Sequence, residues 1–319
     1  MLRAAARSYF FWLLLPLVFP ISTRAQPAPL TGVVVDAASG QPVPSAVVEI
    51  RAQRVGVQAT EQGTFTLALP AALAATDSLR VSSLGFVPQM LAVPSVSPCR
   101  LVLQPLAVAL PEAVVRAPGP PVILGPTADA GRSGFSSGNM RSVGSKGWQV
   151  GRKFEAGSRG IFQAVRFYVK PNRYCGKASV KAPFRLRLYA ADGSDGAPGT
   201  DLLTASVLTA ARRSGWHEVD LLRYQLTVPT IGFYVVMEWL YTDSSFGCDY
   251  TYTTMGEKEK KTGYAYGQNL GGYYAPSPSA TWYLTAGYPW QPFTHHALLG
   301  VPDEGEIHNA AIQAIIQPD

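Results

Sequence analysis

The sequence predicts an all-β protein built from two sandwich domains. Short segments with period-2 alternation, such as Ala46, Val48 and Ile50, recur between turns rich in Gly and Pro. The 319 residues include 30 Gly and 26 Pro, and 47% hydrophobic against 15% charged residues suits packed β-structure rather than disorder. Because an ordinary domain has about 150 residues, this length indicates two domains.

The first 25 residues have the features of a secretory signal peptide. Arg3 and Arg7 precede an apolar run of 13 residues from Tyr9 to Ile21, and Thr23-Arg24-Ala25 places small residues at a cleavage site. A membrane anchor is the alternative, but this run is shorter than the roughly 20 residues that span a bilayer. We therefore expect removal of residues 1–25 and export to the periplasm, the outer-membrane surface or the medium.

Removing the leader also changes the net charge. The leader carries three Arg and no acidic residue, so 27 basic against 21 acidic residues become 24 against 21, and the net charge falls from +6 to +3. The sequence has no clustered basic face of the kind that binds nucleic acid, so no such partner is expected. No later apolar run is long enough to form a transmembrane segment in the mature chain.

Residues 26–104 are expected to form the first domain, and four motifs there carry a family resemblance. The motifs are Gly32-x-Val34-x-Asp36, Ser39-Gly40-Gln41-Pro42-Val43-Pro44-Ser45-Ala46-x-Val48, Gly63-Thr64-Phe65-Thr66-Leu67 and Ser82-Ser83-Leu84-Gly85-Phe86. Together they resemble the carboxypeptidase regulatory-like domain. The resemblance implies a transthyretin-like β-sandwich, in which these residues build the fold and do not catalyse.

The resemblance further implies the envelope of a Gram-negative cell. The same module stands at the N-terminus of many TonB-dependent outer-membrane receptors, and Leu110–Ala117 resembles the segment that leads toward their plug domain. No plug follows here, and the remaining residues are too few for a barrel of roughly 22 strands. An accessory subunit of an outer-membrane nutrient-uptake system is therefore one alternative for the function.

The rest of the chain divides into a linker, a second sandwich and a tail. Residues 105–146 are rich in Pro, Gly and Ser without a sustained period, which predicts a flexible linker. Residues 147–300 resume strand patterns, and Gly232–Leu240 is typical of a central strand buried on both faces. The order of these patterns is similar to a galactose-binding-like domain, which implies a jelly-roll sandwich. Residues 301–319 are expected to be a C-terminal tail.

Motifs for catalysis or cofactor binding are incomplete. His217-Glu218 begins a His-Glu-x-x-His pattern, but Leu221 occupies its fifth position. Gly134–Gly138 matches Gly-x-Ser-x-Gly, yet a nucleophile elbow needs a strand before it and a helix after it. Asp192–Asp201 holds three carboxylates with a spacing unlike that of an EF-hand, which leaves a hairpin turn or a structural Ca²⁺ site open.

These observations favour a non-catalytic protein with no cofactor and no metal site. Its expected role is binding or structural interaction in the cell envelope, with a glycan or an envelope protein as partner. The alternative is a hydrolase whose catalytic carboxylates are scattered through the second sandwich.

Aromatic residues are concentrated between Tyr241 and Phe293, where they make up thirteen of fifty-three positions. Two interpretations stand: tyrosine-rich strands of a half-buried sandwich, or a platform on which sugar rings stack. The candidate ligand-binding residues are Tyr273, Tyr274, Trp282, Tyr283 and Trp290. Trp282 and Trp290 rank first, because they have the largest ring faces.

The chain has three cysteines, Cys99, Cys175 and Cys248, so an oxidising compartment leaves one of them unpaired. Three pairings are possible. A bond between Cys175 and Cys248 is preferred, because both belong to the second domain and Cys99 lies near the end of the first.

Overall fold

A computed structural model of the chain describes residues 28–106, 119–127, 130–131, 133–137, 147–155, 157, 159–241, 244–254, 256–276, 279–294 and 306–319. The predicted signal peptide and Leu110–Ala117 lie outside these residues. Within the described ranges the regular structure is β-strand with five short 3₁₀ turns and no α-helix, so the all-β prediction is confirmed. Across those same ranges we find no helix with the length and apolarity to cross a bilayer.

The first domain is a sandwich of two four-stranded sheets. Its strands are β1 (Leu30–Asp36), β2 (Val47–Ile50), β3 (Val55–Gln58), β4 (Thr64–Leu67), β5 (Ser78–Ser82), β6 (Phe86–Val87), β7 (Gln89–Ala92) and β8 (Cys99–Pro105). One sheet has the order β4-β1-β8-β6 and the other β3-β2-β5-β7. β1 runs antiparallel to β4 and parallel to β8.

Alternation along the strands fills the space between these two sheets. Val48, Ile50, Leu79 and Val81 are fully buried in the core of the first domain. Since successive side chains of a strand point to opposite faces, the residues between them, such as Glu49, lie on the outer face of the sheet β3-β2-β5-β7. That outer face forms one wall of the site described below.

The second domain is a larger sandwich. Its strands are β9 (Val122–Leu124), β10 (Ser133–Phe135), β11 (Gln149–Phe154), β12 (Gly160–Lys170), β13 (Phe184–Ala190), β14 (Val207–Thr209), β15 (Gly215–Asp220), β16 (Phe233–Trp239), β17 (Gly247–Thr253), β18 (Lys260–Tyr266), β19 (Asn269–Pro276), β20 (Thr281–Leu284), β21 (Gln291–Pro292), β22 (Glu306–Ala310) and β23 (Ile312–Pro318). One sheet has the order β10-β19-β12-β23-β9, with β15 beside β12 and β22 beside β19. The other has the order β14-β13-β16-β11-β20-β21, and β17 and β18 form a separate hairpin.

The boundaries of the second domain correct two sequence predictions. β9 and β10 lie inside the predicted linker, and β22 and β23 lie inside the predicted tail. β23 is an inner strand between β12 and β9, and its Ile312, Ala314 and Ile316 are fully buried. Both assignments are therefore wrong for these segments. β9 and β10 have three residues each, too few to show a period within a Gly- and Pro-rich stretch.

β16 is a central strand buried on both faces, which confirms the prediction for Gly232–Leu240. It lies between β13 and β11, and all seven of its residues are buried. Phe233, Val235 and Met237 enter the core between the sheets, whereas Glu238 lies on the outer face. The outer face is also buried, because Glu238 meets Gln58 of the first domain, and Tyr234 and Val236 pack with Trp282 and Trp290.

A disulfide joins Cys175 to Cys248, whose Cα atoms are 5.3 Å apart. Cys248 lies on β17, so the bond ties the hairpin of β17 and β18 to the loop after β12. The rings of Tyr174 and Tyr250 stack beside the bond with centroids 4.1 Å apart. Cys99, on β8, is not in a disulfide.

Candidate functional site

A cleft of about 990 Å³ lies between the two domains. Its first wall is the outer face of the sheet β3-β2-β5-β7, and its second wall is the outer face of the sheet that contains β13, β16, β11 and β20. Residues of both domains therefore line one shared cavity. Concave sites of this size are where proteins commonly bind small ligands.

Strand register places the polar residues of the first wall. Val47 pairs with Ser82 and Glu49 pairs with Arg80 across β2 and β5, while the residues between them point into the core. Arg51 follows β2 and lies on the same outer side as Glu49. The wall is therefore polar and charged, although its strands are largely apolar on the other face.

In the second wall, too, alternate residues of each strand point toward the cleft. Arg185, Arg187 and Tyr189 occupy every second position of β13, opposite Glu238, Val236 and Tyr234 of β16. On the far side of β16, Gly151 of β11 pairs with Val236 and also with Trp282 of β20. The wall thus passes from charged residues to an aromatic cluster within one sheet.

A buried ion-pair network forms the charged end of the second wall. Arg185 and Arg187 donate hydrogen bonds to Glu238 Oε2 at 3.3 Å and 3.2 Å, and Arg187 also pairs with Asp201 at 2.6 Å. The Glu238 side chain is 0% exposed. Burying a carboxylate costs free energy unless cationic groups pair with it. The two arginines therefore stabilise the buried carboxylate of Glu238.

Electrostatics keep Arg187 charged. Burial by itself lowers the pKa of an arginine, but the interaction with the Tyr189 hydroxyl and the negative charges of Asp201 and Glu238 raise the pKa of Arg187 far above the ordinary value. Burial also raises the pKa of the Tyr189 hydroxyl, which donates a hydrogen bond to Gln149 Oε1 at 3.1 Å. Arg187 is therefore a permanent cation and Tyr189 a neutral donor.

Glu49 is the centre of a second network, in the first wall. Its Oε1 accepts hydrogen bonds from Arg80 at 2.8 Å and from Arg51 at 2.9 Å. Its Oε2 accepts a hydrogen bond from the backbone N–H of Gly287, at 2.8 Å, in the second domain. One carboxylate thereby connects the two walls.

The two domains also interlock beside the cleft. Leu84 of the first domain is 6% exposed and belongs to the apolar core cluster of the second domain. A Cβ added to Gly56 would lie 2.7 Å from the carbonyl carbon of Ala286, and one added to Gly287 would lie 2.7 Å from that of Val55. Such close approach of two backbones requires glycine at these positions.

The structure brings together two of the five aromatic candidates. Trp282 and Trp290 both line the cleft and pack on the aromatic cluster of the second wall. Trp282 meets the Tyr234 ring edge-on at 5.9 Å, and Trp290 meets the Tyr189 ring edge-on at 5.6 Å. Both indoles are only partly buried, so each offers ring surface to the cavity.

The other three candidates lie elsewhere. Tyr283 packs against the core of the second domain and donates a hydrogen bond to Gln291. Tyr273 accepts a hydrogen bond from Arg152, and Tyr274 is 40% exposed beside His308. None of the three lines the cleft.

Sequence reasoning missed the charged residues of the site, which are Glu49, Arg80, Arg185, Arg187, Asp201 and Glu238. The signal that could have found the basic ones is the alternation Arg185-Leu186-Arg187-Leu188-Tyr189, which places two arginines and a tyrosine on one face. The partner carboxylate, Glu238, stands alone in an apolar strand. A lone acid in a buried strand requires a cationic partner.

The His217-Glu218 and Asp192–Asp201 motifs contain side chains that form hydrogen bonds within the second domain. His217 lies on β15 and shares a 2.6 Å hydrogen bond with Thr209, and burial lowers the pKa of its imidazole. Asp192 accepts hydrogen bonds from the backbone N–H and the hydroxyl of Thr200 at 2.7 Å and 2.6 Å, which close the turn of residues 192–201. In the described part of the chain, no three His, Cys, Asp or Glu side chains cluster as metal ligands would.

The part of the Gly134–Gly138 motif that the structure describes also has structural partners. Gly134 lies on β10, and the Ser137 hydroxyl donates a hydrogen bond to the backbone carbonyl of Tyr266 at 2.8 Å. Gly138 lies outside the described residues.

Comparison with known proteins identifies the first domain. Residues 29–101 match the family described as the carboxypeptidase regulatory-like domain. The first domain is therefore a carboxypeptidase regulatory-like sandwich, as its motifs predict. No curated protein sequence matches the chain.

Solved structures show only distant similarity. Two are of Cwp84. One is described as the cysteine protease and lectin-like domains of this surface layer associated protein of Clostridium difficile, and the other as the clostridial cysteine protease after propeptide cleavage. Both are 14% identical, with TM-scores of 0.34 and 0.37, and cover 54% and 62% of this chain. The chain spans 32% and 40% of their lengths, less than half of each. The structure of infectious bursal disease virus is 12% identical with a TM-score of 0.20, over 81% of this chain and 52% of that one.

These identities and TM-scores are too low to indicate a ligand, so the ligand of the cleft has to be inferred from the residues that line it. A carboxypeptidase regulatory-like domain joined to a second sandwich allows a binding or structural role.

Proposed function

We propose that this is an exported, non-catalytic protein of a Gram-negative cell envelope that binds a neutral glycan in the cleft between its two domains. The observation that carries the proposal is the placement of Trp282 and Trp290 in one cavity with arginines and carboxylates. The apolar face of a sugar ring packs on an indole, and its hydroxyls exchange hydrogen bonds with charged and amide groups. The cleft offers both kinds of contact within one wall.

The charges of the cleft favour a neutral ligand. The basic side chains are Arg51, Arg80, Arg185 and Arg187, and the acidic ones in or directly beneath the walls are Glu49, Asp195, Asp201 and Glu238. Because these charges balance, the cavity does not attract anionic ligands over a long range. Charged groups that pair with each other still present hydrogen-bonding atoms to sugar hydroxyls.

The pairing of the acids supports binding rather than hydrolysis. Hydrolysis of a glycosidic bond needs one carboxyl group as a proton donor and another as nucleophile or base, placed on either side of the bond. Glu49 and Glu238 each accept hydrogen bonds from two arginines, so the protein itself already engages both carboxylates. This arrangement suits fixed hydrogen-bond acceptors.

The envelope location is supported by the leader-like residues 1–25, the disulfide and the family of the first domain. N-terminal sequencing of protein purified from the envelope fraction should find Gln26 as the first residue. Protein that still begins at Met1, or that remains in the cytoplasm, would contradict export.

The binding proposal is tested by screening the mature protein against neutral and acidic oligosaccharides by calorimetry, while measuring the release of reducing ends. We expect one class of neutral oligosaccharide to bind and no reducing ends to form. Failure of every oligosaccharide to bind would contradict the glycan proposal. Release of reducing ends that is lost in Glu238→Gln would contradict the non-catalytic part.

A further inference from the structure

The turn that carries Trp290 into the cleft is held by the first domain. It links β20 to β21, and Tyr288 N–H donates a hydrogen bond to the carbonyl of Thr285 at 3.0 Å. Gly287, at its apex, has a φ of +88°, which favours glycine, and its backbone rests against Val55 of the first domain. Trp290 follows the apex by three residues, so the turn sets where its indole enters the cavity.

Glu49 is the group of the first domain that fixes this turn. Its side chain is 4% exposed, and its Oε2 accepts the Gly287 N–H at 2.8 Å. The other oxygen accepts hydrogen bonds from Arg51 and Arg80, and Arg80 in turn donates to Ser82 at 2.9 Å. A carboxylate with three donors has little freedom to rotate, so the acceptor for Gly287 is held in one place.

We propose that the carboxypeptidase regulatory-like domain forms one wall of the ligand site and that Glu49 is a positioning residue. Glu49 accepts a hydrogen bond from the Gly287 N–H and thereby holds the turn that carries Trp290. Glu49 acts through the turn and does not need to touch the ligand. The effect on ligand affinity rests on the proposed glycan function, whereas the effect on the position of Trp290 does not. Without Glu49 the Gly287 N–H loses its acceptor, and the turn loses a hydrogen bond that adds to its packing against Val55 and Gly56.

The test uses the mature protein labelled with 5-fluorotryptophan and observed by ¹⁹F NMR. The Trp290 resonance is assigned by its loss in Trp290→Phe, and the Trp216 resonance serves as an internal control on the other sheet. Glu49→Ala removes the acceptor of the Gly287 N–H. Arg51→Ala removes one partner of Glu49 but leaves the Gly287 contact intact.

We expect Glu49→Ala to shift or broaden the Trp290 resonance, and Arg51→Ala to leave it near the parent position. The Trp216 resonance should stay unchanged in all variants. An unchanged Trp290 resonance in Glu49→Ala would overturn the proposal. Equal shifts in Glu49→Ala and Arg51→Ala would also overturn it, because they would assign the effect to the ion pairs of Glu49 rather than to its hydrogen bond with Gly287.

A second variant covers the case in which Glu49→Ala does not fold. Glu49→Asp keeps the charge but withdraws the carboxylate from Gly287 by one methylene, so it should shift the Trp290 resonance while Arg51→Ala does not. An unshifted Glu49→Asp would contradict the proposal. For an oligosaccharide found in the screen, the variant that shifts Trp290 should lose about tenfold in affinity, as Trp290→Ala should. A shifted Trp290 with unchanged affinity would overturn the ligand part alone.

Discussion

Gln58 of the first domain donates a hydrogen bond from Nε2 to Glu238 Oε1, 3.3 Å away in the second domain, and this acceptor is a fully buried carboxylate. The other oxygen of Glu238 accepts hydrogen bonds from Arg185 and Arg187. A single acid of the central strand β16 therefore organises the charged end of the cleft and meets the opposite domain.

Removing the Glu238 carboxylate should strongly destabilise the protein. Glu238→Ala leaves two guanidinium groups without their shared partner, and breaking a buried pair typically costs about 3–5 kcal/mol in the free energy of unfolding. The matched control is Glu218→Ala, which breaks the exposed pair with Arg166 and should cost about 1 kcal/mol or less. Urea unfolding measures the loss in the free energy of unfolding for both variants. Equal losses would contradict a buried ion-pair network around Glu238.

The contact between the domains should be sensitive to a single methyl group. In Gly56→Ala the new Cβ would meet the backbone of Ala286 and Gly287 at 2.7 to 2.8 Å, which forces the turn or β3 to shift. Overpacking of this kind costs about 1–3 kcal/mol. Gly119→Ala is the control, because its Cβ would meet nothing within 4 Å. Urea unfolding should show a loss in Gly56→Ala only, and two unchanged proteins would contradict the interlock.

The Cys175–Cys248 disulfide should stabilise the protein, because it closes a loop with a sequence separation of 73. The chain-entropy relation predicts about 4 kcal/mol for a loop of this length. Replacing both cysteines with serine should lower the free energy of unfolding by about this amount, and Cys99→Ser should not. Peptide mapping without reductant should recover the linked pair. Recovery of both as free thiols would disprove the bond.

Asp36 should contribute a pH-dependent part of the stability. The Ser39 hydroxyl donates to its carboxylate at 2.7 Å and the Ala38 N–H at 2.8 Å, and these bonds lower the pKa of Asp36, with Ser39 the larger cause. Because the folded pKa lies below the unfolded value of about 3.9, this stability is present above that pH and is lost as the pH falls through the folded pKa.

Ser39→Ala should therefore be less stable than the parent protein near neutral pH, and the difference should shrink at about pH 2. Urea unfolding at the two pH values measures it. An equal difference in stability at both pH values would show that the Ser39 hydroxyl does not act through the pKa of Asp36.

Much of the fold could be predicted from the sequence because it rests on local alternation. The period-2 pattern of Ala46, Val48 and Ile50 places one face of β2 in the core, and the apolar run of β16 indicates a central strand. β23 was missed as a strand, because its burial depends on pairing with β12, more than a hundred residues earlier. The alternation of Ile312, Ala314 and Ile316 is compatible with a strand, but it does not show that this strand lies inside a sheet.

Of the residues that line the cleft, the sequence prediction named only Trp282 and Trp290 as ligand-binding residues, and these stand out by ring size. Glu49 and Arg80 look like ordinary surface charges of a sandwich, since their outer face would be solvated in an isolated domain. They become part of a cleft only because the second domain packs against that face, which the sequence of either domain alone does not show.

A glycan site between the two domains is tested most directly by the affinity of Trp282→Ala and Trp290→Ala for the oligosaccharide that binds best to the parent protein, with Trp216→Ala as control. Trp216 is 36% exposed on β15, in the sheet that does not line the cleft. Calorimetric titration should show that each cleft variant loses at least about fivefold in affinity, equivalent to about 1 kcal/mol, while the control binds like the parent. Equal affinity in all four proteins would contradict a glycan site between the two domains.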